Sequence, residues 1–396
     1  MKAVILVAGE GTRMRPLTSA RPKVMLPIAN KPILEHIVNA AVDAGINEFV
    51  FITGYFEDAI KDHFKDGAKW GAKIEYVHQK QQRGTADAIG CARGSVTGRF
   101  VVLNGDVLIS SDYLKKLISK EEDVVITVKK VENPSDFGVI EISGDKVTKI
   151  IEKPEVPPTD LANAGIYLFN DSIFDLIDNT TLSERGELEI TDSLQMLINS
   201  GADVGYEILE HDWLDVGRPW DLLDANELLL DNIKAECNGL VEPNATLIGE
   251  VVVGEGTLIR NGSYIIGPVV IGNDCDIGPN CFIRPSTSIG NGVRIGNAVE
   301  IKNSIIMDNT HVGHLSYVGD SIIGQGCNFG AGTKVANLRH DGRSIRVTLE
   351  YQFLDSGRRK LGVIMGDDVH TAINTSINVG TVIKSGGSTK PGEVVR

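Results

Sequence analysis

Apolar positions follow two different periods along the chain, and the change falls near residue 237. Before that point, short apolar runs alternate with amphipathic stretches. Residues 3–7 (AVILV) form a continuous apolar run, the pattern of a strand buried on both faces. Pro32 can open a helix through Ile33, Leu34, Ile37, Val38 and Ala41, closing near Gly45. Residues 49–52 then read as strand, 55–64 as helix, 74–77 as strand, 85–92 as helix, and 100–103 as a strand running into Asn104-Gly105-Asp106. This rhythm predicts an α/β fold: a Rossmann-like domain with a mostly parallel sheet and helices on both faces. Ligands on such sheets bind beyond the carboxyl ends of the strands. The loop 8–22 and Asp106 both fall there. Residues 219–236 read as one helix, packing on this domain or bridging to the next.

From there the period becomes six. Leu247, Val253, Ile259, Ile265, Ile271, Ile277, Ile283, Ile289, Ile295 and Ile301 are ten consecutive apolar hits. At 42% apolar composition, chance would give this less than ~1 time in 1,000, so the repeat is real. Hexapeptide periodicity predicts a parallel β-helix, with each apolar residue pointing inward and glycine often turning the corner. The frame slips by one to Ile306, Val312 and Val318, then again to Ile323, Phe329 and Val335. Residues 337–361 lack the repeat and are expected to form an external loop. The repeat resumes weakly at Val369, Ile377 and Ile383. The expected domains are therefore 1–236 and 237–396.

The 396 residues suit two or three domains at ~150 residues each. A net charge of -14 disfavours a nucleic-acid partner, though it leaves room for a local basic pocket. The five cysteines are odd in number and lack CxxC spacing, so they read as reduced structural thiols of a cytoplasmic protein. No apolar run reaches ~18 residues, so no membrane partner is expected.

Gly9 and Gly11 allow backbone N–H groups to approach phosphates, and Arg13 and Lys23 add cationic donors. The loop is neither a Walker loop nor a dinucleotide fingerprint. Taken alone it would pass for an ordinary surface loop. However, Gly9-Glu10-Gly11-Thr12-Arg13-Met14-x-Pro16-Leu17-Thr18, followed by Pro22-Lys23, resembles the signature of sugar-1-phosphate nucleotidylyltransferases. The resemblance continues through Gln79, Gly84-Thr85-Ala86, Asn104-Gly105-Asp106, Phe137-Gly138-Val139, Glu152-Lys153-Pro154, Asn163-Ala164-Gly165, the segment 186–192 and Trp213-Leu214-Asp215. It implies that Arg13 and Lys23 hold a nucleoside triphosphate, UTP or dTTP, with Gly9, Gly11 and Thr12. Gln79, Gly84 and Thr85 would read the base. Gly138, Glu152, Lys153 and Asn163 would take the sugar-1-phosphate. Asp106 and Asp215 would bind Mg²⁺.

In the repeat, Gly313-His314-Leu315-Ser316-Tyr317-Val318-Gly319-Asp320 resembles the acetyltransferase half of the bacterial bifunctional enzymes that make UDP-N-acetylglucosamine. Arg284, Lys302, Asn328-Phe329-Gly330-Ala331 and Asn337 extend the match. Acetyl transfer to an amine needs a base, and histidine ordinarily titrates near ~6.5. The resemblance assigns His314 that role. Tyr317, Asn328 and Asn337 would orient an amino sugar, Arg284 and Lys302 would bind its phosphate, and Ala331 would contact acetyl-CoA. Arg339, His340, Arg343, Arg346, Arg358, Arg359 and Lys360 form a basic rim suited to polyanionic coenzyme A, or an ordinary solvated loop. The whole chain most resembles archaeal two-domain enzymes joining both activities. Their β-helices are left-handed and assemble as homotrimers or dimers of trimers. The alternative is a nucleotidylyltransferase whose β-helix only oligomerises.

Overall fold

The computed structural model describes residues 1–210, 213–349 and 352–396. The chain divides into two compact units, Met1–Glu10 with Ile33–Asp215, and Gly11–Pro32 with Val216–Arg396.

The first unit is built on a nine-stranded sheet. Its strands in chain order are β1 (Lys2–Val7), β2 (Glu48–Thr53), β3 (Lys73–His78), β4 (Phe100–Asn104), β5 (Val124–Lys130), β6 (Gly138–Ser143), β7 (Lys146–Glu152), β8 (Leu161–Phe169) and β9 (Val204–Ile208). They lie in the order β3-β2-β1-β4-β8-β5-β9-β7-β6. The first four are mutually parallel, as their apolar runs predict, while β8 enters antiparallel between β4 and β5. The helices are α1 (Ile33–Asp43), α2 (Glu57–Phe64), α3 (Thr85–Gly90), α4 (Ser111–Ile118), α5 (Ile173–Asp178) and α6 (Ile190–Asn199). The stripe Ile33, Leu34, Ile37, Val38 and Ala41 of α1 is wholly buried, which is why this sequence forms a helix here. Strand register decides which groups lie together past the strand ends. Val7 pairs with Thr53, Thr53 with His78, and Leu6 with Asn104. Ala8, Gln79 and Asp106 therefore emerge at one carboxyl edge.

The second unit is a left-handed parallel β-helix that also carries, among the described residues, one α-helix, α7 (Asp221–Leu230). Three parallel sheets of eight, seven and eight short strands form its walls. Val253 pairs with Ile271 and Ile271 with Ile289, eighteen residues per coil. The hexapeptide residues fill the interior, joined there by the buried thiols of Cys275, Cys281 and Cys327. Both frame slips are coils shortened by one residue: Ile289 pairs with Ile306, and Ile306 with Ile323. The next coil carries the 337–361 insertion between Ile323 and its partner Met365.

Two elements differ from the sequence expectation. The helix read over 219–236 spans only Asp221–Leu230. Glu236–Cys237 is instead the first strand of the β-helix, paired with Val252 and Val253. A partner sixteen residues away outweighs local helical spacing. The insertion is also not structureless. Arg346–Leu349 and Gln352–Asp355 pair as an antiparallel hairpin, with Ile345, Val347 and Leu349 buried.

Candidate functional site

In the first unit the edge beyond β1–β4 gathers polar groups. Backbone bonds prolong the ladder past the strands: Gly105 N donates to Leu6 O (3.0 Å) and Gln79 N to Thr53 O (2.8 Å). Gln82 Nε2 donates to Ala8 O (2.5 Å). Gln79 is buried, and its amide donates to Asp87 Oδ2 (2.7 Å), whose other oxygen binds Arg83 (2.6 Å). Gly84 has φ 123°, and a Cβ there would lie 2.4 Å from Leu188 O, so only glycine fits. Thr85 Oγ1 accepts from Ile190 N (2.9 Å), so this hydroxyl also caps the start of α6.

Two aspartates are brought close in the chain at the same edge. Leu214–Asp215 pairs antiparallel with Val107–Leu108, setting Asp215 opposite Val107 and one residue from Asp106. Among the described residues no three His, Cys, Asp or Glu side chains gather as a metal cluster. A pair of hard carboxylates suits a divalent ion that keeps waters and shares phosphate oxygens.

The sugar-side residues cluster around the β6–β7 hairpin and β8. Glu152 pairs with Gly138. A Cβ on Gly138 would lie 3.1 Å from Glu152 Oε2 and 3.5 Å from Asn163 Cβ, so three predicted residues converge. Lys153 Nζ lies 3.9 Å from Glu152 Oε1. Asn163 Nδ2 donates to the Tyr167 hydroxyl (2.7 Å). Three further participants have no individual signal in the sequence. Thr191 Oγ1 donates to Glu152 Oε2 (3.1 Å), and Arg185 bridges Glu152 (3.3 Å) and buried Glu189 (3.2 Å). Burial pushes the Glu189 carboxyl up, the Glu152 charge adds to this, and Arg185 opposes it. The motif 186–192 marks the segment but not which side chains face Glu152.

In the second unit, Gly11 has φ 65°, and a Cβ there would lie 2.8 Å from Lys23 Cβ. Thr18 Oγ1 donates to Gly11 O (2.9 Å). Gly11 thus admits the stem of Lys23, which is 8% exposed, whereas Thr12 is half-buried and Arg13 is exposed. Asp221 accepts from the amides of Gly217 (2.9 Å) and Arg218 (2.6 Å), pinning the turn before α7. Burial pushes its carboxyl up from 3.8 to about 6, against those amides and the Lys23 charge. The folded state then binds the proton more tightly than the unfolded chain. This contribution to stability is full below about 3.8 and is lost as pH rises through about 6. Thermal unfolding should show the Asp221→Asn midpoint rising relative to wild type between pH 5 and pH 7.5. A pH-independent difference would refute the shift.

On the β-helix, Asp320 is 2% exposed and organises a cluster. Its carboxylate accepts from Asn303 (2.8 Å), Asn337 (2.5 Å) and Lys302 (3.3 Å). Asn337 Nδ2 also donates to the Tyr317 hydroxyl (3.0 Å). Lys360 completes the cluster, and the charge of Lys302 beside it pulls its ammonium down. Burial pushes the Tyr317 phenol up. Lys302, Tyr317 and Asn337 are therefore brought together, and Arg284 pairs with Glu300 (3.0 Å), in register with Tyr317. His314 is exposed and lies at the corner following the strand His311–Val312. Ala331 stands in the turn one coil further on, where Gly332 N donates to His314 O (2.9 Å). Asn328 lies on a neighbouring wall, in register with His311 and His370. Part of the basic rim is committed elsewhere. Arg339 pairs with Asp341 and Arg358 with Asp224, while Arg346 stacks on Phe353 (5.5 Å). Arg343 is exposed, its backbone N donating to Asp341 (3.2 Å). Nothing in the sequence marks Asp320 and Lys360 as neighbours of Lys302.

Residues 2–232 match the family described as Nucleotidyl transferase, and residues 265–386 match the GMPPB C-terminal domain. The Bifunctional protein GlmU of Methanocaldococcus jannaschii is 43% identical over 97% of this chain and 92% of its own. A Bifunctional sugar-1-phosphate nucleotidylyltransferase/acetyltransferase of Sulfurisphaera tokodaii is 40% identical over 100% and 97%. Among solved structures, a putative glucose-1-phosphate thymidylyltransferase from Bacillus anthracis is 30% identical with a TM-score of 0.54. It covers 60% of this chain and 97% of its own. With one half matched by the nucleotidyl transferase family and relatives matched across both halves, the chain belongs to the bifunctional GlmU-type nucleotidylyltransferase/acetyltransferases.

Proposed function

We propose that the 237–396 half acetylates glucosamine-1-phosphate or galactosamine-1-phosphate with acetyl-CoA. The 1–236 half couples a sugar-1-phosphate to UTP or dTTP and releases pyrophosphate. The product is UDP-N-acetylglucosamine or a related activated sugar.

In nucleotidyl transfer a phosphate oxygen of the sugar attacks the α-phosphorus, and pyrophosphate leaves. That oxygen is already ionised at neutral pH, so the reaction needs positioning and charge neutralisation rather than a base. Arg13 and Lys23 hold the triphosphate, with the backbone of Gly9, Gly11 and Thr12. Gln79, Gly84 and Thr85 form the base pocket. Gly138, Glu152, Lys153 and Asn163 orient the sugar and its phosphate. Asp106 and Asp215 would hold Mg²⁺, which when bound supplies further charge neutralisation.

In acetyl transfer the amino nitrogen attacks the thioester carbonyl. His314 accepts the proton that the nitrogen loses, and coenzyme A leaves as the thiol. Tyr317, Asn328 and Asn337 orient the sugar, and Arg284 and Lys302 bind its phosphate. Ala331, Arg343 and Arg346 belong to the acetyl-CoA side.

The observation that carries this reading is the cluster around Asp320. Its oxygens accept from Asn303 and Asn337, Lys302 pairs with it, and the charge of Lys302 acts on a second cation, Lys360. Two adjacent cations with one saturated carboxylate suit a dianionic phosphate, and a wall that only held subunits together would not need them. Cytoplasmic homotrimers, or dimers of trimers, would complete the reading.

Thiol release from acetyl-CoA tests it. Glucosamine-1-phosphate or galactosamine-1-phosphate should support turnover, and free glucosamine should support at least tenfold less. Equal turnover with free glucosamine would contradict the phosphate site.

A further inference from the structure

The segment Gly11–Pro32 carries Arg13 and Lys23, yet it packs into the compact unit of the β-helix. Two buried polar clamps hold it there. The first is at Arg21, two residues before Lys23. Its guanidinium is 13% exposed and donates to Asp367 Oδ2 (2.7 Å) and to Met307 Sδ (3.0 Å). Asp367, 6% exposed, is itself fixed by the β-helix. Its other oxygen accepts from Gln325 N (3.0 Å), and its own amide donates to Ser385 Oγ (3.1 Å). Next to it, a Cβ on Gly366 would lie 3.0 Å from Pro16 Cβ, so the segment meets the wall at two points between Arg13 and Lys23.

The second clamp comes after Lys23. Asn226 of α7 is fully buried, and its Oδ1 accepts from Ala29 N (2.9 Å) and Ser288 Oγ (2.5 Å). Its Nδ2 donates to Ser286 O (2.9 Å), while Asn30 Nδ2 donates to Ile289 O (2.5 Å). Lys23 is thus strung between a buried ion pair and a buried amide network, both anchored in β-helix backbone.

We propose that the Arg21–Asp367 ion pair is a positioning device for nucleotidyl transfer, by which the β-helix sets the segment bearing Arg13 and Lys23. The inference rests on the nucleotidyl-transfer reading above. Its logic is that long cationic side chains act on a transition state only when their backbone is already in place. An apolar contact would fill the space without fixing orientation. A hydrogen-bonded buried pair does fix it, at little net gain in stability. The β-helix then contributes to both activities: acetyl transfer on its own wall, and nucleotidyl transfer through Asp367.

The test compares wild type, Arg21→Lys, Arg21→Ala and the apolar double variant Arg21→Met/Asp367→Leu, as full-length proteins. Pyrophosphate release, thiol release and the unfolding midpoint are measured in parallel. Arg21→Ala is expected to lose ~30-fold or more in kcat/KM for nucleotidyl transfer through both kcat and KM, with thiol release within twofold of wild type. Arg21→Lys should recover part of the loss. The double variant removes the ion pair without leaving a buried charge. It should keep the wild-type midpoint and still lose at least tenfold, and it decides the matter should Arg21→Ala not fold. A folded double variant with kcat/KM within twofold of wild type would overturn the proposal. Absence of pyrophosphate release by wild type itself would instead overturn the nucleotidyl-transfer reading.

Discussion

Replacing His314 by alanine should lower acetyl transfer by about 10²–10⁴-fold and leave pyrophosphate release at the wild-type rate. An amine attacking a thioester must shed a proton as the bond forms, and without a positioned acceptor that proton goes to bulk water. His314 stands exposed at a corner of the β-helix, on the adjoining edge of the wall that carries Tyr317. Removing its imidazole deletes no packed side chain, so the unfolding midpoint should not move. Thiol release and pyrophosphate release, measured separately on the same sample, check this. Unchanged thiol release would assign the base to another residue.

The second large effect is expected at Asp106. Asp106→Ala should cut nucleotidyl transfer by about 10³-fold or more, the several kcal/mol that a metal ligand at a reacting phosphate contributes. Acetyl transfer should continue. Asp106 emerges after β4 with Asp215 held one residue away by the Val107 pairing. Loss of one carboxylate therefore leaves half the site in place. Excess Mg²⁺ should recover part of the rate in Asp106→Ala, whereas a purely structural defect would not respond to the ion. Steady-state pyrophosphate release across a Mg²⁺ titration makes the distinction.

The parts of the fold that sequence revealed are those governed by local period. The isoleucine column from Leu247 to Ile301 lines the β-helix interior, and even its slips mark coils that are one residue short. The apolar runs of β1, β2 and β4 read as parallel strands because both faces are covered. What depended on distant partners was not legible. Glu236 and Cys237 join the β-helix through Val252 and Val253 rather than extending α7. The 345–349 alternation forms a hairpin strand inside an expected loop. Arg21 and Asp367 are 346 positions apart, and no period links them.

The candidate sites divide in the same way. Motifs singled out Gly138, Glu152 and Asn163, and the structure places the three side by side. That Arg185 and Thr191 reach Glu152, and Arg185 also Glu189, shows only in the packed structure. Likewise the motifs singled out Lys302, Tyr317 and Asn337. The buried carboxylate that ties them together, Asp320, needed the coil stacking to be seen.

The central claim is that one chain carries two separable transfers. Its most direct test is purified full-length protein with glucosamine-1-phosphate, acetyl-CoA, UTP and Mg²⁺, with free thiol and pyrophosphate detected separately. Both products should appear, and omitting acetyl-CoA should abolish the thiol signal at once. Pyrophosphate only from an already acetylated sugar-1-phosphate, with no thiol from any amino sugar, would contradict the account.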